Sequence, residues 1–389
     1  MAESIHTARW ISQLHEQGWD VHIFPSNDEN NISSELKYVT LHHTVYTTTQ
    51  DSHPSVKHAG FRIWTPVGQT VLGIGLRWLI RNKLPEYRVN ALARLIKKLK
   101  PDVIHSLEFQ HAGYMTLEAK KKLGTDYPFP PWIVSSWGND IYLYRRIKAH
   151  QDKLRELLAQ ADYYISDCKR DIPLAQELGF KGEVLGAYLG GGGYRADQMP
   201  DVATLTKPSD RKVILLKGYQ SFTGRAMFGL RAIALCKDLL QDYEIIIYFA
   251  SSEDMRIATE LTAEETGLNI RLFENATHAE WIDLLKRARI NLGVSISDGT
   301  PLAMVESLLV GAFPIQTYTA CADEWIVDGE TGIIIPPEDI QAIADAIRRA
   351  VTDNDLVDNA AQRNYQTAIT KLRYEQTRSE IVSHYEKAR

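Results

Sequence analysis

Asp298 and Glu306 stand with seven residues between them in the stretch SISDGTPLAMVESLLVGAFPIQT, residues 295–317. An ionised carboxylate accepts hydrogen bonds at two oxygens, so such a pair suits recognition of a polyol. An apolar strand leads into Ser295-Ile296-Ser297-Asp298-Gly299, and Thr300-Pro301 then starts a helix. Proline fits the first helical turn, where its missing N–H would have no partner anyway. This puts Asp298 in the loop and Glu306 about two turns into the helix. The N–H groups of the first turn carry a positive partial charge, a place for a phosphate or sugar oxygen. The plainer readings are a helix N-cap or turn residue for Asp298 and a surface ion pair for Glu306.

This segment resembles the donor-binding signature of the GT-B glycosyltransferases, specifically glycosyltransferase family 4: an acidic residue, seven others, then Glu. Asp298 is one methylene shorter than the usual Glu. Gly311, Pro314-Ile315, Glu324-Trp325-Ile326, Asp328-Gly329, Thr331-Gly332, Pro336-Pro337 and Asp339 follow in family order. The resemblance covers residues 211–352. It implies an α/β protein of GT-B fold, with two doubly wound Rossmann-like domains facing a cleft. It also implies that Glu306 binds the ribose hydroxyls of a nucleotide sugar and that Asp298 faces the donor sugar. The backbone of Gly299, Thr300, Pro301 and Leu302 would approach the sugar and diphosphate.

Lys217-Gly218-Tyr219-Gln220 and Gly224-Arg225 stand where the first strand of the second half meets its helix. The family places an Arg and then a Lys there, aimed at the diphosphate. Here the order is Lys217 and then Arg225, with a longer loop around Gly218. Fixed cations stabilise a departing diphosphate most in the transition state, where its charge grows.

The first half resembles the acceptor domain of the same family more loosely. Ile5-His6-Thr7-Ala8-Arg9-Trp10 looks like the start of its first helix, and Pro101-Asp102-Val103-Ile104-His105 like one of its strands. Some members carry a second His two positions on, where this chain has Leu107, so that role is not carried over. His105, Glu108 and His111 are acceptor-side candidates by proximity, and His105 is equally a strand-end residue. In Ser136-Trp137-Gly138-Asn139-Asp140, Asp140 either binds acceptor hydroxyls or caps the helix after it.

The implied activity is retaining transfer of a sugar from a nucleotide diphosphate sugar to a hydroxyl of a glycan, lipid-linked or small acceptor. No cofactor or metal is expected. The Asp353-Asn354-Asp355 triplet lies between helical segments rather than at a strand end, and no HExxH, GxSxG or Walker lysine loop is present. A nucleotide-sugar epimerase on the same fold would need an acid–base pair around the sugar, and none stands out. A non-catalytic binding subunit is the third reading. The family sets a strand before the first helix and this chain opens on that helix, which implies a rearranged half-domain or a start internal to the reading frame.

The elements that must position these residues alternate. Helical period or strand runs mark a helix over 5–17, strands at 21–24 and 38–41, a helix over 88–100, strands at 103–105, 132–135 and 163–165, and a helix over 171–178. Gly190 to Gly193 open a connection over 186–210, between an acceptor domain over 1–185 and a donor domain over 211–359. Strands at 213–216, 244–249, 270–273, 290–294, 313–316 and 332–335 alternate with helices at 225–240, 279–288, 302–310 and 340–351. A polar helix over 360–389 is expected to cross back to the first domain.

The 389 residues are 44% apolar and 24% charged, which excludes a disordered chain. A net charge of -5 argues against a nucleic-acid partner. Cys168, Cys236 and Cys321 form no paired motif. The N-terminus has no signal-peptide pattern. The run VLGIGLRWLI, residues 71–80, is too short to span a bilayer. It reads as a packed helix with a basic rim at Arg81, Lys83, Lys97, Lys98 and Lys100, or as a peripheral contact with an anionic membrane. A cytoplasmic location, working at the inner membrane face in the second case, follows. The sequence does not fix the oligomeric state, the base, the sugar or the acceptor.

Overall fold

Apolar runs such as Ile245-Ile246-Ile247 are buried on both sides, and they become the strands of parallel sheets covered by helices. The computed structural model describes residues 4–26, 32–45, 52–62, 70–84, 86–190, 192–195, 198, 200–273 and 277–389. Gly191 and the side chains of Ile74, Leu76, Arg77, Ile80 and Arg81 lie outside the described part. The chain divides into two compact units, residues 1–193 with 374–389, and residues 194–373.

In the first unit, α1 (Ile5–Ser12) is capped by the Ser4 hydroxyl, which accepts from the His6 N–H at 3.2 Å. Strands β1 (His22–Ile23), β2 (Thr40–Val45) and β3 (Lys57–Arg62) form one parallel sheet. After α2 (Val71–Lys83) and α3 (Tyr87–Leu99), strands β4 (Ile104–Leu107), β5 (Trp132–Ser135), β6 (Tyr163–Ser166) and β7 (Glu183–Ala187) form a second parallel sheet in that order. Helices α4 (Tyr114–Leu123), α5 (Lys148–Gln160) and α6 (Asp171–Glu177) connect its strands. Among the described strands, none joins β1 to β4.

The second unit is one six-stranded parallel sheet. Its strands are β8 (Val213–Lys217), β9 (Glu244–Tyr248), β10 (Asn269–Phe273), β11 (Ala288–Gly293), β12 (Phe313–Thr317) and β13 (Ile333–Ile335), in the spatial order β10-β9-β8-β11-β12-β13. Reversal of strand order at β8 and β11 creates the switch point where ligands bind in such sheets. Helices α7 (Ala226–Leu235), α8 (Glu253–Thr266), α9 (His278–Arg287), α10 (Leu302–Leu309), α11 (Ile340–Thr352) and α12 (Asn354–Lys371) cover it. The terminal α13 (Tyr374–Ala388) belongs to the first unit, where Ile381 and Tyr385 pack with Trp10, Ile133 and Ile165.

Several expected elements differ in extent. The helix expected over 5–17 ends at Ser12, and that over 225–240 spans 226–235. The helix expected over 360–389 is two helices broken at Leu372-Arg373. Residues 186–187 belong to β7, and 208–210 are tied to α12, with Ser209 Oγ donating to Asp358 at 2.8 Å. Strands β3 and β7 and helices α4, α5 and α8 are additional. In α8 only Met255 and Thr259 are buried, so its apolar period is faint in the sequence. In the expected helix over residues 71–80, Val71, Leu72 and Trp78 are 86%, 84% and 62% exposed, so the face they share is not packed. No helix among the described residues is long and apolar enough to cross a membrane. All three cysteines are buried.

Candidate donor and acceptor sites

The apolar strand β11 ends at Gly293, and the chain turns through residues 294–301 into α10. Pro301 occupies the N-cap position, one residue earlier than expected, and its carbonyl accepts from Met304 and Val305 at 3.0 and 3.1 Å. Asp298 does not cap the helix. Its Oδ1 accepts from the Gly299 N–H at 3.0 Å, and its Oδ2 accepts from Lys217 Nζ at 3.2 Å. The structure therefore brings together two residues that are 81 positions apart. Burial alone would lower the Lys217 ammonium, but Asp298 and the nearby Tyr219 outweigh it and its pKa is raised. Lys217 stays a cation in this site.

Glu306 is buried at 5% exposure, not on the surface. Three donors hold it. Trp281 Nε1 donates to Oε2 at 2.6 Å, while the Tyr194 hydroxyl and His278 Nε2, at 2.8 Å, meet Oε1. The sequence reading missed Tyr194, His278 and Trp281. A signal existed: Thr277-x-x-Glu280 is a capping box, complete in the structure, and it starts a helix with His278 and Trp281 three residues apart on one side.

Trp281 continues into an aromatic group. Its ring lies 4.4 Å from Tyr248 and 5.9 Å from Phe249, and Phe249 lies 6.0 Å from Tyr219. Phe249 has φ +56, a region bulky residues seldom adopt, so surrounding structure holds this ring at the end of β9. Lys217 Nζ sits 4.8 Å from the Tyr219 ring. Aromatic rings thus join the Lys217–Asp298 pair to Glu306.

Gly218 has a packing role as well. A Cβ there would lie 2.9 Å from the Tyr248 carbonyl, and its own N–H donates to that oxygen at 2.7 Å. Arg225 is engaged by Glu338 and its own loop. Its Nε donates to Glu338 at 2.5 Å, and its guanidinium donates to the Ser221 and Gly224 carbonyls at 3.0 Å. The 219–225 loop folds onto the strand end, with Arg225 N donating to Val294 O at 3.1 Å and Ile296 N to Thr223 O at 2.9 Å. Leu302 and Thr300 are half-buried beside the start of α10.

The acceptor-side candidates are in the first unit. His105 Nδ1 lies 2.5 Å from the Tyr385 hydroxyl and its Nε2 2.7 Å from Ser135 Oγ. Desolvation lowers its pKa to about 3. Both ring nitrogens thus meet side chains of the first unit. Asp140 does not cap a following helix. Its Oδ2 accepts from Trp137 N at 2.9 Å and from Phe109 N at 3.0 Å, joining the loops after β4 and β5. Burial, then the nearby Glu108, push its carboxyl well above the usual range. Glu108, at φ +83, accepts from His111 N at 2.8 Å and from Ala112 N at 3.3 Å. It also holds the His111 ring at 3.1 Å, and this bond raises the His111 pKa. His6 meets Trp137 edge-on at 6.3 Å. Asp353 caps α12 by accepting from Leu356 N at 2.9 Å, as a turn residue does.

A profile of the family described as Glycosyl transferases group 1 matches residues 201–367, and one described as Glycosyl transferase 4-like matches residues 69–167. No curated protein sequence matches the chain. Solved structures of the same fold include sucrose-phosphate synthase from Thermosynechococcus elongatus, at 15% identity and TM-score 0.68, covering 98% of this chain and 92% of that one. The Anabaena protein HepE in complex with UDP-glucose aligns at 13% identity and TM-score 0.66, covering 100% and 97%. A glycosyltransferase from Rickettsia africae aligns at 14% identity and TM-score 0.60, covering 90% of each chain.

Proposed function

Because the chain belongs to the GT-B glycosyltransferases of the family 4 type, we propose that it moves a sugar, with retention of configuration and without a metal, from a nucleotide diphosphate sugar to an acceptor hydroxyl. The observation that carries this reading is the Lys217–Asp298 pair at 3.2 Å, in the unit that also holds the buried Glu306. In this reading Glu306 receives the ribose hydroxyls by exchanging part of its present set of donors. Asp298 takes sugar hydroxyls. Lys217, with the N–H groups that open α10, neutralises the diphosphate as it leaves. Arg225 joins them once its Glu338 contact opens. The leaving phosphate itself takes the acceptor proton, so no protein base is required. The fold shared with a protein solved with UDP-glucose supports a donor of this class.

The test is binding of UDP, GDP and ADP, followed by transfer assays with sugars on the preferred base, with and without a chelator. The anomeric configuration of the product is read by NMR. Inverted product, or activity abolished by chelation, overturns the finer parts of this reading. Isomerisation of the donor with no acceptor would instead favour an epimerase, and absence of nucleotide binding a non-catalytic subunit.

We further propose a peripheral contact with an anionic membrane at the cytoplasmic face. Val71, Leu72, Gly75, Trp78 and Leu79 are exposed at one-face helical spacing on α2. Lys83 on the same helix and Arg94, Lys97, Lys98 and Lys100 on and after α3 are exposed as well, the charge that anionic headgroups complement. Flotation with phosphatidylglycerol vesicles, but not with phosphatidylcholine alone, is expected, with loss in Trp78→Glu. Equal flotation of the wild type and this variant overturns the contact.

A further inference from the structure

The loop after β5 coils on itself. Leu143 N and Tyr144 N donate to Asn139 O at 3.2 and 3.3 Å, and Arg145 N donates to Ile141 O at 3.1 Å. This coil brings the guanidiniums of Arg146 and Arg145 to 4.2 and 5.9 Å from the centre of the Tyr142 ring. The loop after the adjacent strand β6 brings a third guanidinium, Arg170, to 3.9 Å from the same ring. Arginine stacks well on an aromatic face, yet three like charges around one ring repel each other.

Arg170 Nε donates to Asp171 at 2.8 Å. Arg145 and Arg146 make no ion pair among the described residues, and Arg145 Nε is buried with no acceptor in reach. Of the neighbouring acids, Asp167 is engaged by the Gly138 N–H at 2.7 Å, and Asp140 by two backbone N–H groups. Even counting both the Asp167 and Asp171 carboxylates, three guanidiniums leave a net positive charge beyond the carboxyl ends of two adjacent parallel strands, the edge at which open α/β sheets take ligands.

We propose that Arg145, Arg146 and Arg170 around Tyr142 form an anion subsite that recognises a phosphate or pyrophosphate group of the acceptor. This rests on the glycosyltransferase reading, in which the donor diphosphate belongs to Lys217 in the other unit and the first unit takes the acceptor. Guanidinium forks match phosphate oxygens in pairs, and their contacts with the Tyr142 ring hold them close together before a ligand arrives. Two sources offer this chemistry: a soluble sugar phosphate and a saccharide linked to lipid through pyrophosphate.

The experiment uses the full chain with a saturating nucleoside diphosphate and titrates inorganic pyrophosphate by calorimetry. Wild type is expected to bind a further equivalent. The double variant Arg145→Ala, Arg146→Ala is expected to bind it at least tenfold more weakly while its nucleotide affinity stays unchanged, which shows that the fold is intact. Absence of that equivalent in wild type, or an unchanged affinity in the variant, overturns the subsite. If wild type binds no nucleotide, the glycosyltransferase reading fails, and the pyrophosphate comparison still decides the subsite. Competition by glucose 6-phosphate or by a polyprenyl pyrophosphate in micelles then distinguishes the two sources.

Discussion

Trp281 donates its indole N–H to Glu306 Oε2 at 2.6 Å, fixing one oxygen of the buried carboxylate from a neighbouring helix. Because Tyr194 and His278 meet the other oxygen, Glu306 has a single orientation before any ligand arrives. A carboxylate so held costs a ligand little further ordering.

Trp281→Phe keeps an aromatic ring beside Tyr248 while it removes the indole N–H together with part of the bicycle. A hydrogen bond to a charged group contributes about 1.5–3 kcal/mol, so kcat/KM for the donor should fall roughly tenfold to a hundredfold. Thermal unfolding of the variant should stay cooperative. Unaltered donor kinetics would remove Trp281 from the positioning of Glu306.

Lys217→Met keeps most of the aliphatic stem and removes the charge beside Asp298. If the ammonium meets the leaving diphosphate, the loss should be about 2–4 kcal/mol in transition-state stabilisation and appear mainly in kcat. Asp298→Asn should affect the sugar more than the nucleotide, leaving affinity for the bare nucleoside diphosphate close to wild type. A parallel loss of both affinities in Asp298→Asn would contradict its assignment to the sugar.

Asp140→Asn and Asp140→Ala should differ sharply in stability. The amide oxygen of Asn can accept from both Trp137 N and Phe109 N. Ala removes the acceptor of the buried Phe109 N–H and of the half-buried Trp137 N–H, at a cost of about 1–3 kcal/mol. The folded-state pKa of Asp140 is raised, so its stabilising contribution is present below the unfolded value of 3.8 and is lost as pH rises. Asp140→Asn should therefore equal or exceed wild type near neutrality in a denaturant titration, and a large deficit there would disprove the raised value.

His105 carries the opposite dependence. Its folded pKa is about 3 against an ordinary 6.5, because burial opposes its charge. The unfolded chain binds the extra proton between these values, so stability falls as pH drops from 6.5 toward 3 and is unaffected by this group above 6.5. His105→Gln, which remains neutral, should flatten the fall of the melting temperature over that window. Parallel curves for variant and wild type would exclude the effect.

The spacing of Asp298 and Glu306, the strand before them and the Pro-led helix were legible in the sequence, because they are local. Strand runs such as Ile245-Ile246-Ile247 and the parallel alternation of the second unit were legible for the same reason: periodicity and burial act over a few residues. Tertiary structure alone decided the partners. Lys217 meets Asp298 because β8 and β11 are neighbours in the sheet, although they are far apart in the chain. Glu306 is buried under Tyr194, His278 and Trp281 because α9 packs beside α10. His105 finds the Tyr385 hydroxyl, 280 positions away, only in the folded unit. Arg170 reached Tyr142 only through the pairing of β5 with β6. Local pattern fixes which residues a segment offers, whereas the partner of each charge depends on strand order, which only the folded sheet supplies.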